Sequence, residues 1–129
     1  MKATGVISIP IYNHDLIVHY GNIESLKEAL FSYGSKEKYD GYDFDFIGNK
    51  GGMCLNSEKE IFFLYIAENE DMEKVSDTVA HEIFHCAVAL LNHLGMSISN
   101  DSEEAYAYLI GYMTKEIYKI FGIKHEQQS

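Results

Sequence analysis

One proline, no tryptophan, two cysteines and 10 Lys plus Arg set against 20 Asp plus Glu are what this 129-residue chain has least of. A single proline, ten glycines and no low-complexity tract exclude collagen-like and disordered compositions. The shortage of basic residues leaves a net charge of −10 and a pI near 4.9. Such a surface repels phosphate backbones, so nucleic acid is not an expected ligand. The apolar run Cys86 to Leu91 falls far short of the roughly 18 to 20 residues a membrane span needs, and no membrane partner is expected. The N-terminal MKATGVISIPIYNHD lacks the apolar block and small-residue cleavage site of a secretory signal, which points to a cytoplasmic protein. Cys54 and Cys86 are too few for a disulfide framework, and Cys86 sits in an apolar helical segment where a free thiol packs as a small hydrophobe.

What is present is a globular composition, 47% hydrophobic and 13% aromatic, of a length that builds one core and therefore one domain, 1–129. Ile7, Ile9 and Ile11 alternate with polar partners and predict a strand with one buried face; Pro10 places it at a sheet edge. Leu16, Val18 and Tyr20 continue the period of two after turn residues Asn13 and Asp15, predicting the return strand of a hairpin. Asn22 can cap a helix with the stripe Ile23, Leu26, Leu30 and Tyr33, ended by Gly34. Lys36 to Asp40 reads as loop. Tyr42, Phe44 and Phe46 alternate with Asp43 and Asp45 and predict a strand, followed by a GNKGG turn, a strand at Met53 to Leu55 and a last strand at Ile61 to Ile66. That last run is apolar on both faces, so it is expected at the centre of an antiparallel meander. Two helices follow, one capped by Asp71 and ending at Gly95, the other from near Ser99 to Ser102 and ending at Gly122. The expected fold class is α+β, a small antiparallel or mixed sheet covered by helices.

The first of these helices contains His81-Glu82-Ile83-Phe84-His85. Residues four apart on an α-helix lie about 40° from one another around the axis, so both imidazoles leave one face and can hold one metal ion. Glu82 stands one step round, placed to reach a water beside the ion without occupying a coordination position. A HExxH string arises by chance in a chain of this composition with a probability of roughly 3 per cent, so context matters. Here the stripe Thr78, His81, His85, Ala89, Asn92 is more polar than the core stripe beside it.

Two histidines hold zinc poorly, and a third donor is expected from the next helix, where Glu103 and Glu104 stand 18 and 19 positions beyond His85. Glu104 is favoured because it lines up with Ala107 and Gly111, small residues that would let two backbones approach, whereas Glu103 follows the line of Tyr106, Ile110 and Thr114. The competing role for these acids is capping: Asn100 or Asp101 followed three residues later by a Glu is a capping-box arrangement.

His81 to His85 followed by Ser102-Glu103-Glu104-Ala105-Tyr106-Ala107-Tyr108-Leu109-Ile110-Gly111-Tyr112 resembles small phage- and prophage-encoded zincin-like proteins. In these a HExxH helix precedes an E-A-[FY]-A-Y-L-hydrophobic-G helix. The segment is more distantly similar to gluzincin metallopeptidases and to ImmA/IrrE-type repressor proteases, and the similarity covers residues 61 to 120. The resemblance implies a zincin-like fold, zinc as cofactor, His81, His85 and Glu104 as its ligands, and Glu82 as general base. Larger gluzincins carry an Asp four residues after the ligand Glu to steady a histidine; here that position is Tyr108, so support would come from a tyrosine hydroxyl, a backbone carbonyl or Asp77.

The expected function is therefore that of a minimal zinc metallopeptidase acting on a peptide or protein; Tyr108 and Tyr112 stand beside the ligand line, where a phenol near zinc could donate to an oxyanion, although packing is the favoured role for both. An edge strand could hold the extended substrate. The competing class is an acidic binding or assembly protein of phage origin, with a vestigial or structural metal site and charge suited to mimicking DNA. His14, His19, His93 and His125 show no spacing that ties them to the pair, and Asp43 with Asp45 reads as a solvated strand face rather than a calcium loop.

Overall fold

A computed structural model describes residues 2–9, 12–33, 43–48, 51–56 and 61–122. Within them the order is β1 (Ala3–Ile9), β2 (His14–Gly21), α1 (Ile23–Tyr33), α2 (Phe44–Gly48), β3 (Gly52–Asn56), β4 (Ile61–Ala67), α3 (Met72–His93) and α4 (Glu103–Phe121). The four strands form one sheet in the order β1-β2-β4-β3. The β1–β2 hairpin forms as expected, Ala3 opposite Tyr20 and Ile9 opposite His14, with Asn13 in the left-handed region at φ 52°. β1 is an edge strand, and β4 is central.

Helices cover both faces of the sheet. On one, Ile7, Ile9, Leu16, Val18, Leu64 and Ile66 pack against Val75, Val79, Ile83, Ala87 and Leu90 of α3 and Leu109, Met113, Ile117 and Phe121 of α4. On the other, Ile17, Phe63 and Tyr65 meet Leu26 and Leu30 of α1 and Ile47 of α2. β2 is therefore buried on both sides, although only Leu16, Val18 and Tyr20 were expected inside. The predicted caps form. Asn22 Oδ1 accepts the Ser25 N–H at 2.8 Å while Ser25 Oγ accepts the Asn22 N–H at 3.0 Å. Gly122 closes α4 at φ 70°, a conformation glycine adopts without strain.

Two expectations are corrected. The residues expected as a strand through Phe44 and Phe46 form α2, and Tyr42 lies outside the described residues. Asp43 starts that turn, its Oδ1 accepting the Phe46 N–H and its carbonyl the Ile47 N–H, both at 3.0 Å. Phe44 and Ile47, three apart, then face α1, and Phe46 points outward. A pattern of alternating polarity with an apolar residue three places on serves either period, and the Asp43 cap decides it. The second correction concerns pairing: β4 joins β2 in parallel, Asp15 opposite Ile61, and only β3–β4 is antiparallel on that side, so the sheet is mixed rather than a meander. The predicted loop at Lys36 to Asp40, Gly34, Pro10 and Ile11, and His125 lie outside the described residues. Among the described residues no helix is long and apolar enough to cross a membrane.

Candidate metal centre

α3 begins where Asp71, extended at φ −85° and ψ 102°, accepts the Glu73 N–H at 3.0 Å. Seating Val75, Val79, Ile83, Ala87 and Leu90 on the sheet fixes the rotation of the helix, and that rotation turns His81 and His85 to solvent. Their rings lie 4.7 Å apart, with Nε2 atoms at 3.1 Å. Two nitrogens each about 2.0 to 2.1 Å from one tetrahedral ion are separated by about 3.3 Å, so the pair is already spaced as chelating ligands are. Glu82, between them in sequence, is buried, with Oε2 at 3.9 Å from His81 Nε2.

The cover over Glu82 is β3, the second edge of the sheet. Gly52 makes this possible: a Cβ there would stand 2.6 Å from Thr78 Cγ2, 2.9 Å from the Tyr65 carbonyl oxygen and 3.1 Å from Glu82 Cγ. Only glycine lets strand and helix approach so closely. Gly51, Gly52, Asp77, Thr78, His81 and Glu82 line an open cleft of about 350 Å³ beside the imidazoles.

Further along β3, Cys54 is disulfide-bonded to Cys86, with Cα atoms 5.7 Å apart. This corrects the expected free thiol. Cys86 is buried as expected, but the face it occupies rests on β3, and the alternation that turns Gly52 toward α3 also turns Cys54 there.

Glu103 and Glu104 open α4, both exposed and neither hydrogen-bonded or ion-paired among the described residues. No group of three or more His, Cys, Asp or Glu side chains able to hold a metal ion occurs among those residues. The structure thus brings His81, Glu82 and His85 together. The capping box is not formed either: Ser102 is the N-cap, and Ser99 and Ser102 close the turn through Ser99 N–H to Ser102 Oγ at 2.9 Å and Ser102 N–H to Ser99 Oγ at 3.3 Å. Ala107 and Gly111 are exposed, and a Cβ on Gly111 would meet nothing within 4 Å. The small residues therefore serve no close approach of α4 to α3. Tyr106, Ile110 and Thr114 do face packing.

No protein-family model, curated protein or solved structure matches the chain.

Tyr108, 69% exposed, stands on the outer side of α4, whereas Tyr112 is used structurally, its hydroxyl donating to the Ser8 carbonyl at 2.7 Å. Asp77 lines the cleft but makes no hydrogen bond to His81. Sequence reasoning missed the roles of three other histidines. His19 is buried between Thr4 Oγ1, 2.6 Å from Nδ1, and Ser25 Oγ, 2.8 Å from Nε2, and stacks on Tyr65 at 6.3 Å. Burial, helped by the Lys2 charge and opposed by Glu68, holds its pKa below 6.5. Burial and Glu68 push the Tyr65 phenol up, and that phenol donates to the Gly21 carbonyl at 3.1 Å. His93 packs edge-on to His14 with ring centroids at 5.5 Å, away from the His81 and His85 pair.

Proposed function

We propose that the chain is a minimal zinc-dependent metallopeptidase-like hydrolase, and the observation that carries this is the 3.1 Å separation of His81 and His85 Nε2 beside the buried Glu82 carboxylate. The donor set suits zinc: two imidazoles of one helix face, with the Glu82 carboxylate close by, its Oε2 3.9 Å from His81 Nε2. Zinc bound there would supply Lewis acidity, lowering the pKa of a water and polarising the carbonyl under attack. His81 and His85 would hold the ion. Glu104, exposed and unbonded among the described residues, is proposed as the third donor, with Glu103 as its alternative. Glu82 accepts the proton of the attacking water and passes it to the leaving amine, and its place under β3 limits the solvent that would compete for it. β3, an edge strand, presents backbone groups along which an extended peptide can align. Tyr108 is proposed to donate its phenol to the oxyanion.

The test begins with metal content. Purified protein should bind zinc at one equivalent, His81→Ala should lose it, and Glu104→Gln should weaken it more than Glu103→Gln. Glu82→Gln should retain zinc and fold while peptide hydrolysis falls by roughly two to four orders of magnitude. Full turnover by Glu82→Gln, or no zinc in the wild-type chain, overturns the reading.

A further inference from the structure

We infer that Asp77 is a specificity determinant that receives the cationic side chain, Lys or Arg, of an extended peptide lying along β3. The location of the scissile bond in this inference rests on the hydrolase reading; the recognition itself does not.

The cleft beside the imidazoles has few groups left to speak for. Thr78 directs its hydroxyl to the Lys74 carbonyl at 2.9 Å. Glu82 is buried against Gly52, and His81 Nε2 faces His85. Asp77 is exposed, lines the cleft, and has no hydrogen-bond or ion-pair partner among the described residues. Across from it the described lining on the strand side is Gly51 and Gly52, which offer backbone and no side chain to the space of about 350 Å³. A Cβ on Gly51 would find only Thr78 Oγ1 within 4 Å. Among the described residues no Lys or Arg lines this cleft, and its two acids lie on a chain of net charge −10, so the ligand group it favours is a cation.

Spacing selects which residue of the peptide is read. Asp77 lies four residues before His81, about 6 Å along the helix axis. A strand rises about 3.3 Å per residue, so a peptide paired along β3 places the side chain two residues from the bond held at His81 and His85 beside Asp77. The distance from peptide backbone to an exposed helical carboxylate calls for a long side chain, which Lys and Arg have.

The experiment measures binding by fluorescence anisotropy at 150 mM salt, using labelled ten-residue peptides of extended, uncharged sequence that carry one Arg or, at the same position, one Gln. Wild-type chain should bind the Arg peptide about fivefold more tightly. Asp77→Asn should lose that preference, and Asp77→Lys should reverse it toward a Glu peptide. Asp101→Asn, which removes an exposed acid in the turn before α4, should keep it. No Arg preference in the wild type, or an equal loss in Asp77→Asn and Asp101→Asn, overturns the inference, the latter because net charge alone then explains the binding. Hydrolysis is followed in the same samples. Asp77-dependent binding without cleavage removes the hydrolase reading and keeps the recognition site; cleavage without Asp77 dependence does the reverse.

Discussion

His19 shows how much of a buried polar residue's behaviour depends on partners far away in sequence. Its two ring nitrogens are matched by Thr4 and Ser25, 15 and 6 residues distant, and the Thr4 contact exists only because β1 and β2 pair with Thr4 opposite His19. No local pattern announces such a partner. By contrast, His81 and His85 share a helical turn, so their convergence could be read directly from spacing. Glu104, 19 positions beyond His85 and on another helix, could be reached only by a long-range inference. The His19 environment has a consequence for pH. Because its folded pKa lies below the 6.5 of the unfolded chain, the neutral ring's contribution is complete above about pH 6.5 and is lost as pH falls toward the folded value. Urea unfolding at pH 7 and pH 5 should show the wild type losing stability on acidification, with Lys2 as the charged neighbour that strengthens the effect. His19→Gln should start about 1 to 3 kcal/mol lower at pH 7, from the imperfectly replaced hydrogen bonds, and should show a shallower decline. An identical pH slope in both proteins would refute the assignment.

At the scale of elements, sequence legibility follows the range of the forces. α1, α3 and α4 were readable because their caps and apolar stripes lie within one segment, and Asp71 and Asn22 cap as expected. Alternation located β1 and β2, and apolar character on both faces placed β4 centrally. Which strands pair, and in which direction, depends on contacts across dozens of residues, so the parallel β2–β4 ladder was not visible. The Cys54–Cys86 bridge belongs to the same category, its partners being 32 residues apart on β3 and α3. Closing a loop of that size removes unfolded-state entropy worth about 3 to 4 kcal/mol in the chain-entropy account. Air-oxidised native protein should therefore titrate with no free thiol, and Cys54→Ser should lower the unfolding free energy by about 3 kcal/mol. Since the bridge fastens an edge strand to the helix that carries the histidines, hydrogen exchange in β3 should accelerate before that in β2 or β4. A Cys54→Ser protein of unchanged stability and unchanged β3 exchange would show that packing alone holds the strand.

The charge of the whole molecule works against its folding. Ten more acids than bases must be gathered into one body, and the Lys-to-carboxylate pairs among the described residues, Lys27–Glu24 at 3.5 Å and Lys119–Glu116 at 3.2 Å, are both local i,i+3 contacts on helix surfaces. Exposed pairs of this kind contribute about 0 to 1 kcal/mol each and are weakened by salt. Repulsion summed over the surface is larger in reach, and salt weakens it too, because the screening length falls from about 30 Å at 0.01 M to about 8 Å at 0.15 M. The second effect should win. The melting temperature should rise by several degrees as sodium chloride goes from 10 to 300 mM, with the steepest gain below about 150 mM where the screening length changes most. The sandwich of α1 and α2, sheet, and α3 and α4 buries its apolar residues independently of salt, so an ion-specific increase that continues above 1 M in sulfate but not chloride would instead report hydrophobic burial. A melting temperature that falls on adding sodium chloride would mean that attractive pairs outweigh the repulsion of the net charge.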